Sequence, residues 1–492
     1  MPDDVRISFL EWLANEDADR QARYVAYREY YDGDHDTQLT ARQRKYLQIK
    51  IGEEFNDNYC PIVVDALAER LTVTGFNAGK NTDLATQLWD WWKASRMDAV
   101  QGVTHLAATR DGDGYILVEW DNDGDRPNWT FEPAYNGTEG VKVHYSKDRR
   151  RQVAFASKRW RVEGEDVKRA GKARRLNLYY PDRIEKYVSY DDVYEGAWQP
   201  YIEEGQPWPL PWTVGNVPPG QYRDNDHTDP ANWEPNESAE PLGVPVVHFQ
   251  NKDQGYNYGQ SELKNVIPLQ NALNKAIIDL LATADTTGFP LFYMLGDDPS
   301  GLTTAPGSWI YSLRPPSGDE SVSVGKIDAE DLSPLIAFKD SIVTEIARVS
   351  RTPLSYFQTS GARAAEGTLK QEEVGLVARA LDRQVSFGNA WEDCMSLAIR
   401  LHNTFGEGGL DEEQQISTQW ADPQTRNEKE HLEMLEIKSR LGVPRETLWA
   451  EMEYDAEEIA TMRAQAGDEM QQTANIGGEL LRSFEGGGFG GE

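Results

Sequence analysis

The chain has 492 residues, 39% hydrophobic and 10% aromatic, which allows two to four domains with sizeable cores. Its formal charge of -32 argues against holding DNA by neutralising phosphates, a mode that needs clustered Lys and Arg; a protein that surrounds DNA without gripping it stays open. No apolar run approaches the roughly eighteen residues that cross a bilayer, and residues 1–6 lack an export signal, so a soluble protein made in a cytoplasm is expected.

The first quarter reads as helical. Phe9, Leu10, Trp12 and Leu13 open it, and Tyr24, Tyr27, Tyr30 and Tyr31 follow before the breaker Asp32-Gly33-Asp34. A further helix over 62–71 has Pro61 in its first turn after Asn58-Tyr59-Cys60, and a short strand runs from 71 to 76. Leu84, Leu88, Trp91 and Trp92, then Val100, Val103, Leu106 and Ala107, give two more helices. The turn Asp111-Gly112-Asp113-Gly114 is expected to open a hairpin whose strand is 115–120. Alternating patterns continue at 141–145, 153–161, 176–180 and 184–190, which makes the first 260 residues α+β with a mostly antiparallel sheet.

Charge is uneven along the chain. Residues 142–175 hold thirteen Lys and Arg against four Asp and Glu, which reads either as a contact surface for nucleic acid or an acidic neighbour, or as the solvated side of a hairpin. After Gly406 twenty acidic residues face seven basic ones, a net of -13, and opposite patches on one chain suit contacts between subunits. Residues 198–238, with Trp208, Pro209, Pro211 and Trp212, read as a long loop: its rings could meet a sugar or a partner, or pin the loop to its own domain. A strand follows at 244–249.

Between 261 and 405 three helical patterns are separated by a small insert and a loop. Ser261 suits an N-cap, Pro268 kinks or restarts the first helix, and Leu269, Leu273, Ala276, Leu280 and Ala284 form its stripe, ending near Gly288. Strands at 290–295, 309–313 and 322–324 make an insert of about forty residues, too small to hold a large core and expected to pack against copies of itself. The second helix, 332–350, returns antiparallel with Leu335, Ile342, Ile346 and Val349. After the Gly/Ala loop 352–367 the longest helix carries Val377, Leu381, Val385, Gly388, Trp391, Met395, Ile399 and His402 on one face, over roughly 55 to 60 Å. A helix of that length suggests a spanning, structural task. A strand at 417–420 stops at Asp422-Pro423, a helical stretch covers 428–466, and 486–491 is Gly-rich.

Reactive clusters are scarce. No metalloprotease HExxH, dinucleotide GxGxxG or phosphate-loop motif occurs, and Gly361 to Gly367-Thr368 has the wrong spacing with no lysine after the second glycine. Asp121, Asp123, Asp125 and Glu132 imitate a calcium loop, but Arg126 stands where glycine is needed, so a hairpin turn is the better reading. Asp32, Asp34, His35 and Asp36 could gather a divalent ion yet also make an ordinary helix stop. Cys60 and Cys394 read as buried fillers, with no metal site and no cofactor expected. An acidic, Trp-rich carbohydrate-active enzyme with paired carboxylates, and a virion adaptor that forms no channel, are the alternatives to a ring-forming assembly protein.

The order helix, strand insert, antiparallel helix, Gly/Ala loop and very long helix, after an α+β region, resembles the portal proteins of tailed bacteriophages. Asn58-Tyr59-Cys60-Pro61-Ile62-Val63-Val64-Asp65-Ala66-Leu67-Ala68-Glu69-Arg70-Leu71 with Val73-Thr74-Gly75-Phe76 is similar to the signature of portals from siphophages of actinobacteria. So are Gly259-Gln260-Ser261-Glu262-Leu263 and Leu269-Gln270-Asn271-Ala272-Leu273-Asn274-Lys275. The resemblance implies an α+β portal fold: wing 1–260, stem helices 261–288 and 330–351, and a small α/β or β-rich clip 289–329. It further implies a tunnel loop 352–366, a long helix 367–405, a wing return strand and short helical crown 406–470, and a flexible tail 471–492. Gln358, Thr359, Ser360, Gly361, Ala362, Arg363, Ala364, Ala365 and Glu366 would line the DNA channel. Leu269, Leu273, Leu280, Ile342, Ile346 and Val349 would pack the stem, and Phe292, Trp309 and Tyr311 would dock partners at the clip. It implies a homo-oligomeric ring, usually of twelve, at one capsid vertex, a non-enzymatic virion component without membrane contact. Double-stranded DNA would pass through it independently of sequence, and its protein partners would be the terminase large subunit, a head-tail adaptor, and major capsid and scaffold proteins.

Overall fold

The computed structural model describes residues 9–35, 39–50, 57–149, 151–163, 172–190, 198–224, 227, 229–287, 291–295, 309–312, 323–327, 331–357, 366–424, 428–452, 454 and 458–466. In chain order the elements are α1 (Phe9–Asn15), α2 (Ala18–Asp32), α3 (Ala41–Lys50), α4 (Cys60–Ala68), β1 (Val73–Asn77), α5 (Thr82–Ala94) and α6 (Met97–Asp111). Strands β2 (Asp113–Asp121), β3 (Arg126–Pro133), β4 (Gly140–Tyr145), β5 (Val153–Glu163), β6 (Lys172–Tyr179) and β7 (Arg183–Ser189) follow. Four short strands, β8 (Gln199–Pro200), β9 (Leu210–Pro211), β10 (Gly220–Tyr222) and β11 (Trp233–Pro235), precede β12 (Val246–Gln250). Then come α7 (Ile267–Thr287), β13 (Leu291–Leu295), β14 (Trp309–Ser312), β15 (Ser323–Ile327), α8 (Ser333–Ser350), α9 (Glu366–Phe405), β16 (Ser417–Trp420), α10 (Glu428–Arg440) and α11 (Arg445–Glu451). The fold is α+β.

The chain forms two compact units: residues 1–24, 67–261 and 377–492 in one, 25–66 and 262–376 in the other. The first unit holds an antiparallel sheet ordered β4-β5-β6-β7-β8 with β9 also on β7, the sheet β12-β2-β3, and the pair β1-β16. Leu176, Leu178 and Tyr187 pack against Leu10 and Leu13 of α1. A second core gathers on α9, where Trp391 is fully buried with its ring 4.5 Å from Phe249 and 4.8 Å from Trp92. The loop 198–238 is tied down by its own rings: the Trp208 indole N–H donates to Lys186 O at 2.9 Å, and that of Trp212 to Gly243 O at 2.7 Å.

Two expectations change here. Asp111-Gly112-Asp113-Gly114 is a helix-to-strand corner, not a hairpin turn: Gly112 ends α6 at φ 102°, and a Cβ there would lie 2.9 Å from Ser261 N. The β2-β3 hairpin turns instead at the Asp121–Asp125 segment, and Glu132 lies across from Tyr115 and pairs with Lys158. On α9, Leu381 and Val385 are 48% and 67% exposed, whereas Ala380, Arg383, Gln384 and Phe387 are buried. The other stripe residues, Val377, Gly388, Trp391, Met395, Ile399 and His402, are buried, and the core arc widens beyond them to take in polar residues that find partners inside. Arg383 bonds Asn251 and Asp382, and Gln384 donates to Ala421 O at 3.0 Å, so a count of hydrophobic residues leaves these two out of the core.

His105, fully buried beneath the α9 aromatics, holds Nδ1 2.8 Å from Leu71 O, and its Nε2 accepts from Trp391 Nε1 at 3.0 Å. Only the neutral Nδ1–H tautomer satisfies both, and burial pushes its pKa from 6.5 down to about 4. The unfolded imidazole therefore takes up a proton that the folded one refuses, and stability is lost as pH falls from 6.5 toward 4. Glu16 extends the loss below pH 4.5: the hydrogen bond with His144, against the cost of partial burial, holds its pKa near 2. Urea unfolding at pH 7 and pH 5 should show about 2 kcal/mol lost from His105, and a shallower decline for H105Q. Trp391→Ala should cost about 3–5 kcal/mol in the same assay, because it opens a cavity at the centre of the aromatic core.

Candidate functional site

The second unit is built around a hairpin of α7 and α8 whose paired faces bury Leu273, Ile277, Ile278, Ile342, Val343 and Ile346. A short 3₁₀ turn, Glu262–Asn265, follows Ser261 before α7 begins with Pro268 in its first turn, as its missing N–H permits. Of the expected packing residues, Leu273, Ile342 and Ile346 are buried and Leu269 and Leu280 half-buried. Val349 is 41% exposed, at the rim of the buried arc. That arc is centred between Val343 and Ile346 and takes in the small Ala347 and Ser350, which an apolar stripe underweights.

Two polar residues on α7 matter more than the stripe suggested. Gln270 and Asn274 are fully buried and bond the segment that precedes α4. Gln270 Oε1 accepts from Tyr59 N at 3.0 Å and its Nε2 donates to Asp57 O at 2.5 Å, while Asn274 Oδ1 accepts from Asp57 N at 3.2 Å. Asn274 Nδ2 donates to His35 Nδ1 at 2.7 Å, leaving His35 Nε2–H for Tyr30 O at 3.0 Å. Burial depresses the pKa of His35, which keeps it an acceptor toward Asn274. Tyr30 OH adds a bond to Asn271 Oδ1 at 2.9 Å, and Gln43 Nε2 one to Asp279 at 2.6 Å. The two sequence motifs that carried the resemblance thus bond each other. His35 serves this lock, and Asp36 lies outside the described residues.

The expected channel loop has a fixed root. Arg351 closes α8 in the left-handed region at φ 54°, Ser350 Oγ lies 3.1 Å from Thr352 Oγ1, and the Phe357 ring stacks on Tyr59 at 5.8 Å. Gln358, Thr359, Ser360, Gly361, Ala362, Arg363, Ala364 and Ala365 lie outside the described residues, and the helix resumes at Glu366. In the insert, the strands order as β14-β13-β15; Phe292 aligns with Trp309 and Met294 with Tyr311 in a parallel pair. The side chains of Phe292, Trp309 and Tyr311 are not among those described.

Two buried carboxylates of the first unit are taken up by structure. Asp113, fully buried, accepts from His248 Nε2 at 2.7 Å, Tyr24 OH at 2.5 Å and Gly259 N at 2.6 Å. Burial alone would raise its pKa, but these donors hold it below the usual carboxylate range. Glu185 is held by Arg183 at 2.6 Å, Tyr187 at 2.9 Å and Tyr222 at 2.5 Å. Both carboxylates are saturated with donors and unsuited to act on a sugar. A cleft in the same unit is lined by Asp17, Arg20, Gln21, Tyr24, Tyr115, Tyr135, Val141, Lys142 and Tyr258. Among the described residues no group of three His, Cys, Asp or Glu could hold a metal, and no helix is long and apolar enough to cross a membrane. Cys60 and Cys394 are free and buried, and burial pushes the Cys60 thiol up to about 12.

Replacing Asn274 with Leu keeps its branched outline, though in a larger side chain, and takes that partner from Asp57 N and His35; it should cost about 1–3 kcal/mol. Hydrogen exchange should quicken at the Asp57 and Tyr59 amides, and unchanged protection there would remove the lock from the account.

The "Phage portal protein, SPP1 Gp6-like" family model matches residues 10–472. The portal protein of Mycobacterium phage L5 is 23% identical over 423 residues, covering 82% of this chain and 77% of that one. That of Mycobacterium phage D29 is 22% identical over 422 residues with the same coverage. Among solved structures, a chain of the virion of a native gene transfer agent particle covers 86% of this chain and 94% of its own, at 10% identity and a TM-score of 0.40, too loose an overlap to carry a conclusion. With its match running nearly end to end, the chain belongs to the SPP1 Gp6-like phage portal protein family.

Proposed function

We propose that this phage portal protein forms a twelve-membered ring at one capsid vertex, the channel for DNA packaging and ejection. The family implies a vertex ring that meets DNA, terminase and other virion proteins. In the finer reading residues 1–260 are the wing, 261–288 and 330–351 the stem, 289–329 the clip, 352–366 the tunnel loop, 367–405 the long helix and 406–470 the return strand and crown. The terminase large subunit and a head-tail adaptor dock at the clip strands bearing Phe292, Trp309 and Tyr311, and capsid and scaffold proteins meet the wing. Its relatives' phages point to an actinobacterial siphophage, with synthesis in the host cytoplasm and no catalytic role.

The observation that carries this reading, beside the family match, is the exposed apolar surface of α8 in the α7-α8 hairpin. On α8, Ile336 and Phe338 are 46% and 56% exposed, and two residues apart on a helix they face roughly opposite flanks. A two-helix layer with apolar anchors on both flanks suits a neighbour on each side, as in a ring. DNA in such a ring meets acidic subunits that give its phosphates no deep electrostatic minimum, so it slides, and the loops at the constriction limit backsliding. Deleting Ser360 to Ala365 should leave ring assembly intact and reduce DNA retention after packaging by about tenfold or more. Retention equal to the wild type would remove the loop from this role.

A further inference from the structure

The segment Asn58-Tyr59-Cys60-Pro61 ahead of α4 is used almost completely by the fold. Asn58 Nδ2 donates to Tyr31 O at 2.9 Å and its Oδ1 accepts from Cys60 N at 3.0 Å, so one side chain joins α2 to the start of α4. Cys60 is fully buried, Pro61 lies in the first turn of the helix, and Tyr59 N is held by Gln270 Oε1 at 3.0 Å. The Tyr59 side chain is put to another use. Burial first, then the Asp57 charge and a hydrogen bond to it, raise the pKa of its phenol. Its half-buried aromatic face meets that of Phe357, with centroids 5.8 Å apart and planes at 24°.

Phe357 is presented to Tyr59 by a short run of constrained backbone. Arg351 ends α8 in the left-handed region at φ 54°, and Thr352 and Pro353 are buried. A 3₁₀ turn over Leu354–Tyr356 follows, closed by Phe357 N donating to Leu354 O at 3.0 Å. Proline fixes its own φ and restricts the residue before it, so the course of the chain out of α8 is set as far as Phe357. Tyr59 then holds the far end of that run. Because Gln270 holds Tyr59 N and Asp57 O, the stack ties Phe357 to the same buried amide that sets the register of α7.

We propose that Phe357 is a positioning residue for the DNA channel and Tyr59 its seat: the stacked side chains set where the segment after Phe357 begins and, through it, how firmly packaged DNA is retained. The inference rests on the reading of 352–366 as the tunnel loop and adds the contact that carries that loop's position. Stacked aromatic groups favour particular offsets and tilts through their quadrupoles, whereas an aliphatic contact of similar bulk is indifferent to direction. Gln270 and Asn274 already hold this part of the fold, so loss of the stack should be felt by the loop more than by the rest of the unit.

The test uses procapsids assembled with the full-length protein, packaged in vitro and scored for nuclease-protected DNA, beside native mass measurement and urea unfolding of the same chains. Y59L and F357L keep apolar bulk and lose one aromatic face; each should retain about threefold to tenfold less DNA, with oligomer fraction and urea midpoint close to wild type. Y59F and F357Y keep both faces and should retain DNA like wild type. Y59L/F357L should lose no more than either single variant, because one contact is removed in all three. Additive losses, or a Y59F loss as large as that of Y59L, would mean that the two side chains act separately or through the hydroxyl, and the proposal falls. It falls equally if Y59L or F357L loses oligomer or stability, which makes the contact a structural one. Wild-type retention in the leucine variants, beside reduced retention on deleting Ser360 to Ala365, overturns the role of the stack and leaves the loop reading standing. Wild-type retention in the leucine variants and the deletion alike removes the loop reading and this inference together.

Discussion

Two buried amides on α7 hold the second unit in its form. Gln270 and Asn274 sit in the interior and satisfy both the N–H and the C=O of Asp57 and the N–H of Tyr59. A buried backbone group left without a partner costs about as much as the net gain of several hydrogen bonds, so neither the helix nor the segment can shift alone. Apolar packing would permit α7 to slide or turn by a fraction of a residue. The amides fix its register, and α8 and the root of the following loop inherit that register through their contacts with α7 and Tyr59.

Much of this organisation could be read from the chain. The Pro61 start of α4, the Pro268 restart of α7, the end of α2 at Asp32 and the strand at Ser417–Trp420 are set by local rules, and each stands where those rules put it. What escaped was decided by partners distant in sequence. Gln270 and Asn274 look like surface polar residues on an amphipathic helix until residues 57–59 come within reach. Arg383 and Gln384 are core residues of α9 only because Asn251 and Ala421 O receive them, so the stripe, buried at Val377, Gly388, Trp391, Met395, Ile399 and His402, was wrong only at Leu381 and Val385. Gly112 was read as a turn because Asp-Gly usually is one, but the approach of Ser261 makes it a corner. The parallel pairing of β13 with β14 carries no signature in short apolar runs, since pairing direction depends on the connection between them.

Electrostatics gives the fold and the function a common logic. The two most deeply buried carboxylates, Asp113 and Glu185, are each met by three donors. The remaining acidic excess lies largely outside the core, where it discourages firm DNA binding and also burdens assembly.

The account stands on the claim that identical copies of this chain close around an axial hole. Negative-stain microscopy of purified full-length protein, with native mass measurement of the same sample, tests that claim most directly. Annular particles of about twelve subunits, with a central opening wide enough for duplex DNA, are the result the account requires. Monomers, open filaments or compact dimers without an opening, persisting across protein and salt concentration, would contradict it.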